Sequence, residues 1–314
     1  MFSIIIPNWN GAHYLPTCLN SLAAQTYAPI EVWVVDNDSH DETKTLLAER
    51  YPWVKLLALP ENRGFTGACN AGIAAAEGTY IALLNNDTEV DPGWAAAIVS
   101  AFTRHEDVGS VASKMLLFDR RDHFHTAGDY FTLDGRAGNR GVWQKDEGQY
   151  DEESYVFSAC GGSAVYRRSL IAEIGMLDDD FFFSGEDVDL AWRAQLAGWR
   201  CLYTPQAIVY HHLSATGGGV TASYYDSRNA IFILAKNYPA DLWRKHWRSV
   251  LRAQARRAHE ALRAWRGREA RATLRGMLAG VMGVPRMWRK RRLIQQSRRV
   301  SLAYLEALLQ PSRS

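Results

Sequence analysis

Residues 2–38 read FSIIIPNWNGAHYLPTCLNSLAAQTYAPIEVWVVDND, and this stretch decides the fold. It contains two short runs rich in β-branched residues, 2–6 and 30–35, and leucines recur at helical spacing between them. A strand, a helix and a second strand connected in this way require parallel pairing and a right-handed crossover. We therefore predict an α/β fold built on a mostly parallel, Rossmann-like sheet with flanking helices.

The same alternation continues downstream, with helices predicted over 43–50 and 66–76 and strands over 54–59 and 80–84. In open parallel sheets, ligands bind beyond the carboxyl ends of the strands. Those ends carry Pro7, Asn8, Asp36, Asn85, Asn86 and Asp87. We therefore predict that these residues gather at one edge of the sheet and form a binding site.

Glycine-rich phosphate loops are missing from this sequence, since it has neither GxGxxG after the first strand nor GxxxxGK[ST] anywhere. A phosphate-bearing ligand would then be held through a divalent metal. Asp87 supplies a hard oxygen ligand at a strand end, which suits Mg²⁺ or Mn²⁺. Considered alone, however, Asp87 is more typical of a turn or a helix cap before Pro92 and Gly93.

Residues 181–193 read FFFSGEDVDLAWR and place Glu186, Asp187 and Asp189 directly after an aromatic run. Carboxylates at the mouth of an apolar wall have tunable pKa values, which a general base requires. The alternative is a helix start, with Ser184 as N-cap and acidic residues in the first turn. The two interpretations are compatible.

Charge divides the chain into two parts. Residues 1–239 contain 17 Lys and Arg against 30 Asp and Glu, whereas residues 240–314 contain 19 against 4. The basic part has two amphipathic segments, 242–265 and 287–309, with interfacial tryptophan, which favours an anionic membrane surface as its partner. A homo-oligomer interface and a solvated helical hairpin are the alternatives. Nucleic acid is a poor partner, because the acidic body would repel phosphate.

The cysteines and the N-terminus indicate where the protein works. Cys18, Cys69, Cys160 and Cys201 show no paired spacing, which predicts reduced thiols rather than a disulfide framework or a zinc site. The N-terminus lacks the features of a signal peptide, and no run approaches about 18 apolar residues. We therefore expect a cytoplasmic protein, peripheral at the inner face of the cytoplasmic membrane.

Five segments carry a family resemblance: IIIPNWNG, VVDNDSHDET, ENRGFTGACNAGI, YIALLNND and FFFSGEDVDLAWRAQLAGW. In this order they resemble the inverting family 2 glycosyltransferases of the GT-A fold, especially the rhamnosyltransferase-like members that build bacterial surface polysaccharides. The resemblance covers roughly residues 2–235. We accordingly place a GT-A domain over 1–238 and a basic helical tail over 239–314. The resemblance implies transfer of a sugar such as rhamnose from a nucleotide-diphosphate donor to a saccharide or lipid-linked glycan.

The resemblance also implies roles for single residues on the donor side. Asp36 is similar to the family's acidic residue that hydrogen-bonds the nucleotide base, and the backbone around Pro7 and Asn8 lines the same pocket. A loop and helix of the family pass beside the nucleotide-sugar, and their counterparts here are Arg63, Gly64 and Asn70.

The metal site follows from two segments. Asn85, Asn86 and Asp87 resemble the DXD motif, with Asp87 as the ligand to Mg²⁺ or Mn²⁺, but Asn85 replaces one carboxylate and lowers the expected metal affinity. Family members place a histidine after a later strand, predicted here over 208–212. Because His211 shares a strand face with Val209, we place it first as the second ligand and His212 second.

Catalysis is assigned through the ED motif, in which Asp187 resembles the family's catalytic base. A carboxylate can take the proton of an acceptor hydroxyl as the hydroxyl attacks the anomeric carbon, and single displacement with inversion needs only one such group. Glu186 is then a positioning residue. On the acceptor side we place Gly161 and Gly162, whose small size brings backbone close to the site, and Trp192, which could stack on a sugar. The alternative for Trp192, and the more usual one for such an aromatic, is a place in the core.

Two loops are predicted to lie near the site. Residues 119–157 suggest a hairpin excursion on the acceptor side, and glycines 217–219 suggest a loop that closes over the diphosphate.

A nucleotidyltransferase would carry a basic, glycine-rich loop after the first strand, and this chain does not. A non-catalytic subunit that binds a nucleotide-sugar or a glycan is the remaining alternative.

Overall fold

A computed structural model describes residues 1–212 and 218–311. The opening unit forms as predicted, with strand β1 (Phe2–Asn8), helix α1 (Leu15–Ala23) and strand β2 (Ile30–Asp36). The two strands are parallel throughout, and Asn8 stands opposite Asp36 at their carboxyl ends. The first half continues with α2 (Thr43–Arg50), β3 (Lys55–Ala58), α3 (Gly64–Ala75), β4 (Tyr80–Leu84), β5 (Thr88–Val90) and α4 (Trp94–Arg104).

The second half completes the sheet and adds a helical layer. Its strands are β6 (Val108–Leu117), β7 (Phe124–Thr126), β8 (Asp129–Phe131), β9 (Ala137–Asn139), β10 (Ser154–Val156), β11 (Ser163–Arg167) and β12 (Arg200–His211). Its helices are α5 (Arg168–Ile174), α6 (Glu186–Ala197), α7 (Gly219–Lys236), α8 (Ala240–Arg263), α9 (Arg268–Gln296) and α10 (Leu302–Leu308).

The main sheet has the order β10-β12-β6-β11-β4-β1-β2-β3, with β5 paired to β12 and β7 to β6. Strand β1 is parallel to its two neighbours, β2 and β4, and β2 is parallel to β3. Strand β11 runs antiparallel to both β4 and β6. The predicted hairpin excursion is only partly separate. Strands β8 and β9 pair with each other outside the main sheet, but β7 and β10 join it.

Both faces of the sheet are buried, which explains the unbroken apolar run at the start of the chain. Along β1, Ile4 and Ile6 pack in one core with α1 and α4, while Ile5 packs in a second core with α3 and α6. The four cysteines are free, as predicted, and three of them are buried. Apolar contact on both faces holds the strand ends, and hence the polar edge, in fixed positions.

A third core joins the C-terminal helices to the rest of the chain. It combines Trp192 of α6 with Leu242 and Val250 of α8, Met287 of α9 and Leu305 of α10, all of them buried. The boundary predicted at 238/239 falls in the link between α7 and α8, and the division into two domains stays a prediction. What the structure adds is that the basic helices pack against the α/β body.

The second amphipathic segment of the tail differs from the prediction over 287–309. Helix α9 already begins at Arg268, and α10 is a separate short helix. The early start has a tertiary cause, because α9 packs closely on α7. A Cβ at Gly276 would come within 2.1 Å of the Tyr224 carbonyl oxygen, and one at Gly280 within 3.0 Å of the Arg228 carbonyl oxygen. Small residues permit this approach without any apolar periodicity.

Candidate active site

A cavity of about 1190 Å³ lies at the carboxyl ends of β1 and β4. Its wall continues through the β8–β9 hairpin, the backbone before β11, the start of α6, and helices α7 and α8. Most residues predicted from the sequence lie on this wall: Pro7, Asn8, Gly64, Asn85, Asn86, Asp87, Gly161, Gly162, Glu186, Asp187 and His211. The structure therefore brings the predicted donor, metal, acceptor and base residues to one site.

Hydrogen bonds tie the polar strand ends together. The Asn86 side chain donates to Asn8 Oδ1 at 2.6 Å, and the Asn8 side chain donates to Thr43 Oγ1 at 2.9 Å. The Asn37 backbone N–H donates to the Asn8 carbonyl at 2.8 Å. Buried amide groups that are paired in this way are held in one orientation.

Asp87 and His211 form the candidate metal pair. Strand β12 lies antiparallel to β5 with His211 opposite Thr88, which brings His211 Nε2 to 3.1 Å from Asp87 Oδ1. Both residues are buried, and Asp87 Oδ1 accepts no hydrogen bond from a residue within 1–212 or 218–311. His212 instead stacks on Phe118, with 3.6 Å between the ring centroids. Of the two histidines, His211 is therefore the one whose ring lies beside the Asp87 carboxylate, whereas His212 meets Asp87 through its backbone N–H, which donates to the Asp87 carbonyl at 3.0 Å. Asp87 is not the turn residue before Gly93, because Asp91 Oδ1 accepts that backbone N–H.

His125 is a second imidazole at this place, and the sequence analysis missed it. Its Nδ1 lies 3.0 Å from His211 Nδ1. Burial lowers the pKa of His125 to about 3, and the neighbouring His211 adds to the effect. A neutral His125 orients the His211 ring through its Nδ1 side, and the Nε2 side faces Asp87 at 3.1 Å and the Asn85 amide at 3.3 Å. A histidine in a polar loop gives no sequence signal of this contact.

The loop before α6 presents the carboxylates through an unusual backbone. The alternative in which Ser184 is the N-cap is wrong: Gly185 occupies that position with φ 80°, Ser184 itself has φ 65°, and no side chain in the described part of the chain caps the helix. Ser184 Oγ donates to Asp226 of α7 instead. The buried Asn229 amide fixes the turn by lying within hydrogen-bond distance of three loop carbonyls, those of residues 181, 183 and 184.

Gly64 lets α3 meet the same loop. Its φ is +69°, and a Cβ there would stand 2.4 Å from the Phe182 carbonyl oxygen. Thr66 N–H donates to that carbonyl at 3.2 Å. A larger residue at position 64 would therefore displace the loop that carries the carboxylates.

Asp187 is held in place by backbone donors. Its Oδ2 accepts the Gly161 N–H at 2.8 Å and its Oδ1 accepts the Val188 N–H at 2.7 Å. A Cβ at Gly161 would lie 3.2 Å from Asp187 Oδ2, so a glycine permits this close approach. Burial raises the pKa of Asp187, although the two backbone N–H groups oppose the rise.

Glu186 and Asp189 differ in their charge states. Burial, together with the charge of Asp187, raises the pKa of Glu186 to about 8, so Glu186 is protonated near neutral pH. Asp189 is also fully buried, but Lys236 at 2.8 Å and Arg193 at 3.0 Å outweigh burial and lower its pKa. Asp189 is occupied by these ion pairs, which leaves Asp187 as the aspartate of this segment that lines the cavity.

Asp129 is a further carboxyl group in the cavity that the sequence analysis did not single out. Burial raises its pKa to about 8, and the charge of Asp187 adds to the rise. One oxygen each of Asp129 and Asp187 and the sulfur of Cys160 lie within 4.8 Å of one another. Burial also raises the pKa of the Cys160 thiol well above its usual range. Both groups are protonated near neutral pH, so this cluster suits a cation less well than Asp87 and His211 do.

Four predicted residues are not among those that line the cavity; the predicted role of Trp192 is wrong, and those of the other three stay predictions. Asp36 is fully buried, and its Oδ1 accepts the Ser39 N–H at 3.2 Å. Its Oδ2 accepts no hydrogen bond from the described residues, although Lys44 Nζ lies 3.4 Å away, so its contact with a nucleotide base stays a prediction. Arg63 is exposed outside the cavity. The Asn70 side chain is used by the loop after α5, since it donates to the Leu177 carbonyl at 2.9 Å. Trp192 is fully buried against aromatic rings and cannot stack on a sugar.

The glycine loop predicted over 217–219 is described only in part. Residue 217 lies outside the described residues, Gly218 lines the cavity, and Gly219 begins α7. Closure of this loop over a diphosphate stays a prediction.

Residues 3–175 match the family model described as glycosyl transferase family 2. The chain therefore belongs to this family and is a glycosyltransferase. A mycobacterial relative, the N-acetylglucosaminyl-diphospho-decaprenol L-rhamnosyltransferase of Mycobacterium tuberculosis, is 27% identical over 297 residues, covering 87% of this chain and 96% of that protein. The O-antigen biosynthesis protein RfbC of Myxococcus xanthus is 34% identical over 228 residues, which are 68% of this chain but 17% of that protein.

Solved structures of glycosyltransferases share the fold. GalNAc-T7 with UDP, GalNAc and Mn²⁺ aligns with a TM-score of 0.61 at 17% identity, covering 75% of this chain and 48% of that one. The mannosyltransferase PcManGT of Pyrobaculum calidifontis, in complex with GDP-Man and Mn²⁺, aligns with a TM-score of 0.56 at 17% identity, covering 94% of this chain and 85% of that one. The predicted GT-A fold is thereby confirmed.

Proposed function

We propose that this chain is a metal-dependent inverting glycosyltransferase that moves a sugar from a nucleotide-diphosphate donor to a saccharide hydroxyl. The observation that carries the proposal is the pairing, in one cavity, of a backbone-held carboxylate with a buried carboxylate–imidazole pair. The first group suits proton removal from an acceptor, and the second suits a cation bound to a diphosphate.

The residues at the strand ends fit a divalent metal. Asp87 Oδ1 is a buried oxygen that accepts no hydrogen bond from the described residues, and His211 Nε2 lies 3.1 Å from it. Mg²⁺ and Mn²⁺ sites on phosphates use one or two carboxylates, with phosphate oxygens and water filling the remaining positions. When bound, the metal would neutralise charge on the departing nucleoside diphosphate. The missing first carboxylate, at Asn85, is consistent with this small protein ligand set.

Asp187 would take the proton of the acceptor hydroxyl. Two backbone N–H groups hold its oxygens, so the carboxylate meets the hydroxyl without first having to reorient. As the oxygen of the acceptor bonds to the anomeric carbon, the bond from that carbon to the diphosphate breaks, and the configuration inverts in a single displacement. Glu186, protonated beside it, is positioned to donate a hydrogen bond to a sugar hydroxyl.

The relatives suggest the substrates. The mycobacterial relative is named for L-rhamnose transfer to a lipid-diphosphate-linked N-acetylglucosamine, and its match extends over nearly all of both chains. We therefore propose a lipid-linked glycan acceptor in bacterial surface polysaccharide synthesis and dTDP-rhamnose as the first donor to test. The rival, a non-catalytic binding subunit, would hold the same donor without releasing nucleotide.

Nucleoside diphosphate release tests the function. We expect release only when donor, acceptor and Mg²⁺ or Mn²⁺ are all present, because the metal and Asp187 serve one displacement. A thermal-shift screen of nucleotide-sugars with and without Mn²⁺ identifies the donor first, since a ligand of the folded state raises its melting temperature. Donor binding without any acceptor-dependent release would favour the binding subunit instead.

We also propose that the C-terminal helices dock on an anionic membrane surface. Among the described residues, no helix combines the length and apolar composition that crossing a bilayer requires. Helix α8 nevertheless exposes large apolar side chains among its arginines, and α9 exposes more of them. On α8 and its end these are Trp247, Leu251, Leu262 and Trp265, and on α9 they are Leu278, Val281, Met282, Trp288 and Leu293. Exposed apolar groups interleaved with arginine suit an interface of acyl chains and anionic headgroups.

Substitution of two exposed residues of α9 tests the membrane proposal. We expect Leu278→Asp with Met282→Asp to weaken binding to phosphatidylglycerol vesicles at least about tenfold, since each side chain is more than 60% exposed and free to insert. Co-sedimentation measures this. Trp53→Ser is the control, because Trp53 is 45% exposed but lies outside the tail. Equal binding by all three proteins would contradict the proposal. Truncation at residue 239 is unsuitable, because it removes part of the third core.

A further inference from the structure

Two arginines of the basic tail face the candidate active site. Helix α8 contributes Ala253, Arg256, Arg257 and Glu260 to the cavity wall, at the spacing of one helical face. The other α8 residue on the wall is Gln254. The helix that carries the exposed apolar side chains thus also forms one side of the cavity in which Asp187 lies.

The Arg257 side chain is half-buried and, within the part of the chain that the structure describes, forms no ion pair with a carboxylate. Its Nη1 donates to the backbone carbonyl of Asp226 at 3.4 Å. Burial lowers its pKa, although the charge of Asp226 opposes this. No carboxylate among residues 1–212 and 218–311 lies within 4 Å of the nitrogens of Arg256 or Arg257. Two adjacent cations without ion-pair partners are arranged to receive an anion.

The other charged groups of the cavity indicate which anion the two arginines would bind. Carboxyl groups of Glu186, Asp187, Asp226 and Glu260 line the wall near α6, α7 and α8. An anionic ligand is repelled there unless arginines neutralise it. The donor diphosphate has its own proposed cation site at Asp87 and His211, on the strand-end side. A second anionic group, carried by the acceptor, is what the arginine pair would serve.

We propose that Arg256 and Arg257 bind the diphosphate of a lipid-diphosphate-linked acceptor. This inference rests on the proposed function. The acceptor sugar would lie at Asp187 and its diphosphate at the arginine pair, which α8 directs into the same cavity. The tail would then contribute a substrate-binding surface as well as a membrane contact.

Metal dependence separates this subsite from the donor site. Arginines bind a diphosphate without a metal, whereas the donor diphosphate depends on one. The probe is farnesyl diphosphate, titrated by calorimetry in EDTA. We expect the double variant Arg256→Met, Arg257→Met to raise its Kd at least about tenfold. We also expect the Kd of a nucleoside diphosphate, measured in Mn²⁺, to stay unchanged.

Matched variants keep the test decisive. Arg252→Met with Arg263→Met removes two exposed α8 arginines outside the cavity and should leave farnesyl diphosphate binding unchanged. Arg256→Lys with Arg257→Lys keeps the charge and should retain most of the affinity. Equal loss in the control pair, equal loss of nucleoside diphosphate affinity, or no loss in the Met variant would each overturn the proposal. If the wild type binds no nucleotide-sugar, the proposed function is refuted instead. The two failures can be told apart because the titration in EDTA contains no donor.

Discussion

We expect Asp187→Asn to lower kcat for sugar transfer by about 100- to 10,000-fold, the usual contribution of a positioned general base. The amide keeps the shape of the side chain but cannot take the proton of the acceptor. Initial rates of nucleoside diphosphate release measure the loss. Donor affinity should be unchanged, because Asp187 is held by the Gly161 and Val188 N–H groups and not by a residue of the metal pair.

Glu186→Gln is the matched control for this prediction. Since Glu186 is protonated near neutral pH, a glutamine amide is a close substitute, and we expect a much smaller loss of kcat. Full transfer by Asp187→Asn together with a large loss in Glu186→Gln would move the base to Glu186 and contradict the assignment.

The same assignment predicts the acid side of the pH profile. Asp187 must be ionised to accept a proton, and burial raises its pKa. Transfer should therefore be present above that raised pKa and fall as the pH drops through it, at a higher pH than an exposed aspartate would give. The kcat of the wild type, measured at saturating donor and metal, reports this limb.

The second large effect is expected at the metal pair. Asp87→Asn should lower kcat/KM at least about 100-fold and raise the Mn²⁺ concentration that gives half-maximal rate, because the one carboxylate of the predicted metal motif is lost. His211→Ala should change the same two quantities in the same direction, since its Nε2 converges on Asp87 Oδ1.

His212→Ala is the control for the metal pair. His212 is the next residue and the same side chain, yet its ring stacks on Phe118 and lies tilted against Tyr14, and its hydrogen bond to Asp87 comes from the backbone N–H, which alanine keeps. We expect an unchanged Mn²⁺ requirement in this variant. A larger effect at His212 than at His211 would show that the proposed ligand is wrong. Melting temperatures of the three variants separate loss of metal from loss of fold.

Local patterns predicted the elements of the first half of the sheet well. Helix α2 and strand β4 have the predicted bounds, and the other early elements differ by one or two residues. These segments are buried on both faces or on one clear face, so their hydrophobic pattern directly reflects their surroundings. The predictions for Ser184 and Trp192 failed because contacts with distant parts of the chain, and not the local pattern, decide the structure at these two positions. The cap at Ser184 was displaced by a left-handed turn that Asn229 holds from another helix, and the burial of Trp192 depends on α8 to α10.

The sequence by itself determined the parallel sheet, the polar residues at its strand ends, the family and the carboxylate pair at the start of α6. These features are encoded within short segments, through periodicity and through residue types that follow a strand or begin a helix. The tertiary structure alone decided which groups meet: His125 beside His211, Asp129 beside Asp187, and the arginines of α8 at the cavity. Such contacts join residues far apart in the chain, and their geometry depends on how the helices pack, which local periodicity does not specify.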